Sequence, residues 1–256
     1  MTIVFAFLLG LVIGSFLNVC IVRLPYEESI VKPRSHCRSC EAPLAWYDNI
    51  PVVSFVLLRG HCRTCKEPIS ARYPLVEVLT AVLFALIVAH AAPAQQTVLN
   101  LVLGAALIVI SFIDIDYFII PDQITWPSIL IAPAAAFVVG HISVRTSLLG
   151  ILVGGGLLWA FAWSYEKLRG QEGMGLGDVK LLAMIGGLQG WQASLFSLMA
   201  GAVAGSVVGL GMMLLRGRRF DMEIPFGPFL AFGAILYMLA GPRLVHLYIS
   251  HSPLFF

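Results

Sequence analysis

Eight apolar stretches constrain the fold of this chain more than any other feature of its sequence. A helix needs about 20 consecutive apolar residues to cross a hydrocarbon core of about 30 Å. The 256 residues are 59% apolar and only 12% charged, whereas about a quarter of the residues in a soluble domain are charged. The sequence therefore predicts an all-α polytopic membrane protein with about eight transmembrane helices. The stretches are residues 2–22, 75–92, 96–113, 123–140, 147–165, 178–190, 193–215 and 226–249.

Two of these stretches need separate interpretation. Residues 2–22 lack a positively charged start and a small-x-small cleavage site, so we expect a retained helix rather than a signal peptide. Residues 178–190 are too few to span a bilayer unaided. We therefore predict a shortened helix in that position.

The positive charges are distributed unevenly between the stretches. Fourteen of the 16 Lys and Arg residues lie in segments 23–74, 166–180 and 216–219, and the other two are Arg145 and Arg243. Short cytoplasmic loops carry the excess of Lys and Arg. This distribution predicts that the three segments are cytoplasmic and that both termini lie outside the cytoplasm. The net charge of +2 gives no sign of a nucleic-acid surface.

Four of the five cysteines form two Cys-x-x-Cys pairs inside the polar segment 23–74. The pairs are Cys37 with Cys40 and Cys62 with Cys65, and 21 residues separate them. Paired knuckles of this kind place four thiolates tetrahedrally around Zn²⁺. The segment has few core residues, so bound metal would supply much of its folding free energy. We predict one structural zinc ion per chain.

Other roles for the cysteines and their neighbours remain possible. Two disulfides or a redox pair would fit the spacing, although a cytoplasmic position disfavours structural disulfides. His36 and His61 each precede a knuckle and could be ligands, but four thiolates already complete a tetrahedral shell. Cys20 lies in the first helix, where a cysteine is usually a small buried apolar residue.

Two clusters of ionisable residues adjoin the apolar stretches. One contains Asp114, Asp116 and Asp122, and the other contains Asp178 and Lys180. Charged groups beside membrane spans are costly and are therefore candidates for function. The chain crosses the membrane twice between the clusters, so both are predicted at the cytoplasmic face. Two carboxylates held close together share a proton and can act as acid and base, as in aspartic proteases.

Simpler explanations apply to several of these acids. Asp178 and Asp122 could each cap the helix that follows. Asp114 and Asp116 are two residues apart and point about 200° from each other on a helix. Only one of them can therefore face Asp178, and the spacing alone does not choose between them.

Other hydrolase chemistries have no recognisable motif in this chain. The sequence contains no HExxH motif of an intramembrane zinc protease and no GxSxG motif of a serine hydrolase. A zinc ion held by four thiolates lacks the open position that catalysis needs. The paired aspartates therefore stay candidate catalytic groups, with helix capping as the alternative.

These motifs, in this order and spacing, resemble the type IV prepilin peptidase family over nearly the whole chain. The resemblance rests on the two cysteine pairs and on segments 14–19, 69–77, 114–122 and 173–180. It implies an aspartic endopeptidase of the GxGD type that cleaves the basic leader of prepilins and pseudopilins. The cleavage is expected at the cytoplasmic face of the bacterial inner membrane.

The same resemblance implies roles for particular aspartates. In the family pattern the first catalytic Asp lies six residues before an Ile-Pro pair, which in this chain is Asp114. The second is the Asp of the GxGD motif, which here is Asp178. Asp116 would then be a supporting or solvated residue.

Members of the family with the cysteine insertion also N-methylate the new amino terminus, with S-adenosylmethionine as donor. Both knuckles are intact here, so the resemblance implies this second activity. No Gly-rich nucleotide loop locates the donor site. Arg72 and Glu77 are candidate donor-binding residues, and the alternative is that they form an interfacial charge pair.

The expected domains are a first transmembrane helix (1–22), a cytoplasmic zinc-binding domain (23–74) and a membrane peptidase domain (75–256). No repeat with a period of about 20 to 50 residues is apparent. The expected partners are prepilins and pseudopilins with a basic leader and an apolar helix, and membrane lipid, in type IV pilus or type II secretion systems. The acids considered for binding the leader are Glu27, Glu28, Asp116 and Glu172.

Two functions of other classes are compatible with parts of this pattern. A proton-coupled transporter would carry acids near the bilayer midplane on several helices, but here nearly all acids lie at one predicted face. A non-catalytic scaffold of a secretion machine would tolerate Asp178→Asn.

Overall fold

The computed structural model describes residues 2–90, 92–170, 175–216 and 224–251. These residues form nine α-helices and no β-strand. The helices are α1 (Ile3–Arg23), α2 (Val53–Leu57), α3 (Arg72–Ala89), α4 (Ala94–Tyr117), α5 (Asp122–Val139), α6 (Val144–Arg169), α7 (Leu176–Gln189), α8 (Trp191–Arg216) and α9 (Gly227–His251). Short 3₁₀ turns lie at Leu24–Tyr26 and Trp46–Asn49.

Each of the eight predicted stretches forms a helix, and the all-helical fold class is confirmed for the described residues. Six helices, α1, α3, α4, α5, α6 and α8, are long and apolar enough to cross a membrane. The shortened helix is also present, because α7 has 14 residues. The chain is therefore a multi-pass helical membrane protein, and the number of spans beyond these six stays a prediction.

Two compact units make up the chain, Met1–Phe112 and Ile113–Phe256, and their boundary falls within α4. In the first unit α1 packs along α3. The buried Asn18 of α1 donates from Nδ2 to the carbonyl oxygen of Tyr73 at the start of α3, at 3.0 Å. Hydrogen bonds of this kind join membrane helices because few other partners are present in lipid.

The second unit is built around α7, which packs against α5, α6, α8 and α9. All eight residues from Leu181 to Leu188 are buried, as expected for a helix that is apolar on every side. Gly150 of α6 lies against Gly186 of α7, and a Cβ on either would collide with the other's backbone. Small residues of this type allow membrane helices to approach closely.

Hydrogen bonds at the end of α7 satisfy carbonyl groups that a helix terminus leaves open. Ser147 Oγ donates to the carbonyl oxygen of Gly187 at 2.7 Å. His141 Nε2 contacts the carbonyl oxygen of Leu188 at 2.8 Å. These bonds hold the short α7 in a fixed position. Ser147 lies in the first turn of α6, and His141 precedes that helix.

Large apolar side chains cover much of the outer surface. Leu130, Phe137 and Val138 on α5 are each at least 72% exposed. A soluble protein rarely presents such extended apolar surface to water. This surface fits a chain that is surrounded by lipid along its spans.

Candidate active site and metal site

The structure separates the two aspartates that sequence spacing left unresolved. Both lie in the last turn of α4, which ends at Tyr117, four residues beyond the predicted end of that stretch. Asp114 is 5% exposed, whereas Asp116 is exposed. The two side chains therefore occupy different environments, as their angular separation on a helix requires.

A backbone hydrogen bond holds the Asp114 carboxylate. The N–H of Gly227, at the start of α9, donates to Asp114 Oδ2 at 2.9 Å. The first N–H groups of a helix have no partner inside the helix and carry partial positive charge. The Asp114 carboxylate therefore caps α9. A Cβ at residue 227 would lie 2.6 Å from Asp114 Oδ2, so the position has room only for glycine.

Asp178 lies in the first turn of α7, beside Gly177. The buried Ile120 lies between the two motifs: a Cβ at Gly177 would lie 3.1 Å from Ile120 Cβ, and a Cβ at Gly227 would lie 3.4 Å from Ile120 Cδ1. Gly177 precedes Asp178, and Gly227 binds Asp114. The fold thus brings together the segments that carry the two aspartates singled out by the resemblance.

An ion pair joins the N-terminal ends of α5 and α7. Lys180 Nζ donates to Asp122 Oδ1, and the Asp122 side chain is 57% exposed. Asp122 also lies in the first turn of α5, where a carboxylate is favourable because of the helix dipole. The capping role considered from sequence is wrong for Asp122, because Pro121 occupies the N-cap position and no side chain forms a cap hydrogen bond there.

The four cysteines of the two knuckles converge on one point. Their sulfur atoms all lie within 4.8 Å of one another, and Cys37 Sγ is 3.8 Å from Cys65 Sγ. Four thiolates at about 2.3 Å from a tetrahedral Zn²⁺ stand about 3.8 Å apart. The donor set and the spacing therefore fit a structural zinc ion, and this group could hold one.

The two knuckles repeat the same local structure. Cys37 accepts a hydrogen bond at its carbonyl from the N–H of Glu41 (2.9 Å), and Cys62 accepts the equivalent bond from Lys66 (3.1 Å). Glu41 and Lys66 both have positive φ angles, 57° and 62°. The sequence pattern Arg-x-His-Cys-Arg-x-Cys-x-x-Pro begins at Arg34 and again 25 positions later. The expectation that the chain contains no such repeat is therefore wrong within this segment.

Backbone N–H groups inside each knuckle favour the thiolate form of cysteine, which is the form that binds metal. Those of Cys40 and Ser39 lower the pKa of Cys37 to about 6. Those of Cys65 and Thr64 lower the pKa of Cys62.

The histidines that precede the knuckles contact backbone carbonyl groups. Nδ1 of His36 contacts the carbonyl oxygen of Arg34 at 3.2 Å, and Nδ1 of His61 contacts that of Arg59 at 2.7 Å. Neither belongs to the cluster of four sulfur atoms.

The two candidate donor-binding residues lie in different surroundings within the first unit. Arg72 donates from Nη2 to the carbonyl oxygen of Phe112 at 2.9 Å and lies over the ring of Phe112. Glu77 is 7% exposed, and its Oε2 accepts a hydrogen bond from the N–H of Val52 at 2.7 Å.

The acids considered for binding a basic leader are on the surface where the structure describes them. Glu27, Glu28 and Asp116 are exposed. Glu172 and Gly173 lie outside the described residues.

The described helices and the paired aspartates together define a multi-pass helical membrane protein with a two-carboxylate site.

Comparison with known proteins identifies the family. Residues 8–91 match the model of the bacterial peptidase A24 N-terminal domain, and residues 101–210 match that of the type IV leader peptidase family. A prepilin leader peptidase/N-methyltransferase of Aeromonas hydrophila is 38% identical over 269 aligned positions, which cover 96% of this chain and 93% of the relative. No solved structure matches the chain significantly.

Other relatives carry the same name. That of Myxococcus xanthus is 43% identical over 84% of this chain and 64% of its own length. That of Pseudomonas aeruginosa is 33% identical over 96% of this chain and 92% of its own length. The chain therefore belongs to the type IV leader peptidase family, as its motifs predicted.

Proposed function

We propose that this chain is a prepilin leader peptidase and N-methyltransferase, with Asp114 and Asp178 as the catalytic pair of the peptidase. The observation that carries the assignment is that Gly177, next to Asp178, and Gly227, which binds Asp114, both lie against Ile120, and that Asp114 is buried. The names of the relatives support the same pair of activities.

The two carboxylates act as one unit that shares a proton. The ionised member takes a proton from a water molecule while the water oxygen attacks the carbonyl carbon of the leader junction. The protonated member gives its proton to the carbonyl oxygen. The tetrahedral intermediate then collapses, the C–N bond breaks, and the amine leaves with a proton returned by the pair.

The second reaction uses the amine that cleavage releases. S-adenosylmethionine would supply the methyl group from its sulfonium sulfur to this nitrogen. The amine nitrogen gives up one proton to solvent or to a base. We assign Cys37, Cys40, Cys62 and Cys65 as the ligands of one structural zinc ion, which would hold the cytoplasmic segment 23–74 folded.

The proposed orientation follows from the charge distribution. The segments rich in Lys and Arg would face the cytoplasm of a bacterial inner membrane, with the catalytic pair at that face. The domain division at residues 22 and 74 belongs to the same proposal. The substrates would be prepilins or pseudopilins with a basic leader and an apolar helix, for a type IV pilus or a type II secretion system.

Co-expression with a prepilin tests the assignment. Wild-type protein should shorten the prepilin by its leader and add one methyl group to the new amino terminus, as mass spectrometry would measure. Asp114→Asn and Asp178→Asn should each leave the prepilin uncut. A prepilin that is still cut in both variants would contradict the proposal.

A further inference from the structure

A cavity of about 640 Å³ lies inside the first unit. The ends of α1 and α3 form one side of it, and the cysteine segment forms the other. Its walls include Ser15 and Asn18 of α1, Phe55 of α2, and Tyr73 and Glu77 of α3. Cavities of about 300–1,000 Å³ are typical of sites for small molecules.

Glu77 places a buried carboxyl group in the wall of this cavity. The residue is only 7% exposed. Its Oε2 accepts a hydrogen bond from the N–H of Val52 (2.7 Å). Among the described residues, no Lys, Arg or His lies within ion-pair distance of it. A buried carboxylate without a cation is costly, and a cationic ligand would offset that cost.

The surroundings hold this carboxylate in one orientation. Val52 has a φ angle of 60°, which is rare for a β-branched residue and costs backbone strain. The hydrogen bond to Glu77 helps to maintain that conformation. Asn18 is also buried in the cavity wall. Its Nδ2 donates to two carbonyl groups, whereas its Oδ1 accepts no hydrogen bond from the described residues. The cavity thus presents a carboxyl group and an open acceptor.

We propose that this cavity binds the methyl donor, S-adenosylmethionine, with the cationic methionine end of the donor against Glu77. The proposal rests on the N-methyltransferase activity proposed above. S-adenosylmethionine carries a sulfonium and an ammonium group, and the buried carboxylate is complementary to this charge. The aromatic rings of Phe55 and Tyr73 in the same wall are suited to a cation or to the adenine ring.

The location would give the cysteine segment a part in methylation. Cys37 and Cys62 belong to the cavity wall, so a folded metal module closes the donor site. Of the two candidates from sequence, Glu77 lines the cavity, whereas the guanidinium of Arg72 is engaged by Phe112. The proposal therefore assigns donor binding to Glu77.

Direct binding measurements test the proposal without any turnover. Purified full-length protein in lipid nanodiscs is titrated with labelled S-adenosylmethionine in equilibrium dialysis. Glu77→Gln keeps an oxygen that can accept the Val52 hydrogen bond but removes the charge. We expect donor affinity to fall roughly tenfold or more, because a hydrogen bond between charged groups is stronger than a neutral one. Glu166→Gln, an exposed acid on α6, is the matched control and should bind as wild type does.

A second pair of variants covers the case in which Glu77→Gln fails to fold. Ser54, on α2, also lines the cavity. Ser54→Trp should fill the cavity and abolish donor binding while prepilin cleavage continues. Leu57→Trp, at an exposed position of the same helix outside the cavity wall, should leave donor binding unchanged. Normal donor binding by both Glu77→Gln and Ser54→Trp, in a protein that methylates prepilin, would overturn the proposal. If the wild type neither binds the donor nor methylates, the proposed methyltransferase function itself fails.

Discussion

The backbone N–H of Gly227 donates a 2.9 Å hydrogen bond to Asp114 Oδ2, and the two residues are 113 positions apart. This bond links the end of α4 to the beginning of α9. It fixes the orientation of one member of the proposed catalytic pair through the main chain, so no side chain is needed for that purpose. The absence of a Cβ at residue 227 is a requirement of this arrangement.

Gly227→Ala should therefore impair cleavage without unfolding the protein. A Cβ 2.6 Å from Asp114 Oδ2 must displace the carboxylate, and a displacement of about 1 Å can cost about 100-fold in rate. We expect kcat for prepilin cleavage to fall about 10- to 100-fold with KM nearly unchanged. Gly211→Ala is the control, because a Cβ there meets no atom within 4 Å. Equal kcat values in the two variants would contradict a positioning role for Gly227.

The three aspartates near the end of α4 and the start of α7 should differ in their importance. Asp114→Asn or Asp178→Asn removes half of the acid and base pair, and we expect cleavage to fall by roughly 10²- to 10⁴-fold. Asp116 is exposed, so Asp116→Asn should keep substantial activity. The measurement is the rate of leader removal by purified variants in detergent. Loss of activity in Asp116→Asn together with normal activity in Asp114→Asn would reverse the assignment.

Hydropathy predicted the helices well because each span must be apolar over a nearly fixed length. The ends were less certain, as α4 shows. Its predicted end at residue 113 came from the charges that follow, but the helix continues to Tyr117. A change in polarity marks the expected limit of the lipid core rather than the end of a helix. Here Asp114 is still helical, and the N–H of another helix satisfies its carboxylate.

The parts of the site that sequence reasoning missed have no local signal or only a weak one. Gly227 contacts Asp114 through the fold alone, and nothing near residue 227 indicates that partner. The internal repeat was detectable, because the knuckles at Cys37 and Cys62 share six identical residues when shifted by 25 positions. The residues between the shared positions differ, which hides the repeat from a search over longer windows.

The zinc site should affect the two activities differently. We expect metal analysis of the purified wild-type protein to find one zinc ion per chain. The same analysis of the double variant, Cys62→Ser with Cys65→Ser, should find none. Loss of the metal should reduce methylation much more than cleavage, because the proposed peptidase pair lies outside the cysteine segment. Cys20→Ala, which changes a cysteine in α1, is the control and should retain zinc. Wild-type zinc content in the double variant would show that Cys62 and Cys65 are not zinc ligands.

The close approach of α6 and α7 can be tested by adding one methyl group. Gly150→Ala places a Cβ against the backbone of Gly186, so we expect a loss of about 1–3 kcal/mol of stability from overpacking. Gly156→Ala, in the same helix, meets no atom within 4 Å and should be neutral or stabilising by up to about 1 kcal/mol. Thermal unfolding in detergent would measure the difference. Similar midpoints for the two variants would mean that the helices are not packed this closely.

The orientation of the catalytic pair can be tested with a cysteine placed near Asp178. Gly175 is suited to this, because it is exposed and a Cβ there approaches only the Gly177 nitrogen, at 3.9 Å. Gly177 itself is less suitable, since a Cβ there would lie 3.1 Å from Ile120. The short α7 rises only about 21 Å over its 14 residues at 1.5 Å each, which is less than the hydrocarbon core of about 30 Å. Water should therefore reach its first turn from the cytoplasm.

Gly175→Cys should accordingly react with a membrane-impermeant maleimide in inverted inner-membrane vesicles but not in intact spheroplasts. The background carries Cys20→Ala, and the knuckle thiols must first be shown to be unreactive with zinc bound. Arg145→Cys is the matched control, because Arg145 is exposed in the first turn of α6 and is predicted on the opposite side of the membrane. It should react in spheroplasts and not in inverted vesicles. Labelling of the cysteine at residue 175 from the periplasmic side alone would reverse the orientation and, with it, the compartment in which the leader is cleaved.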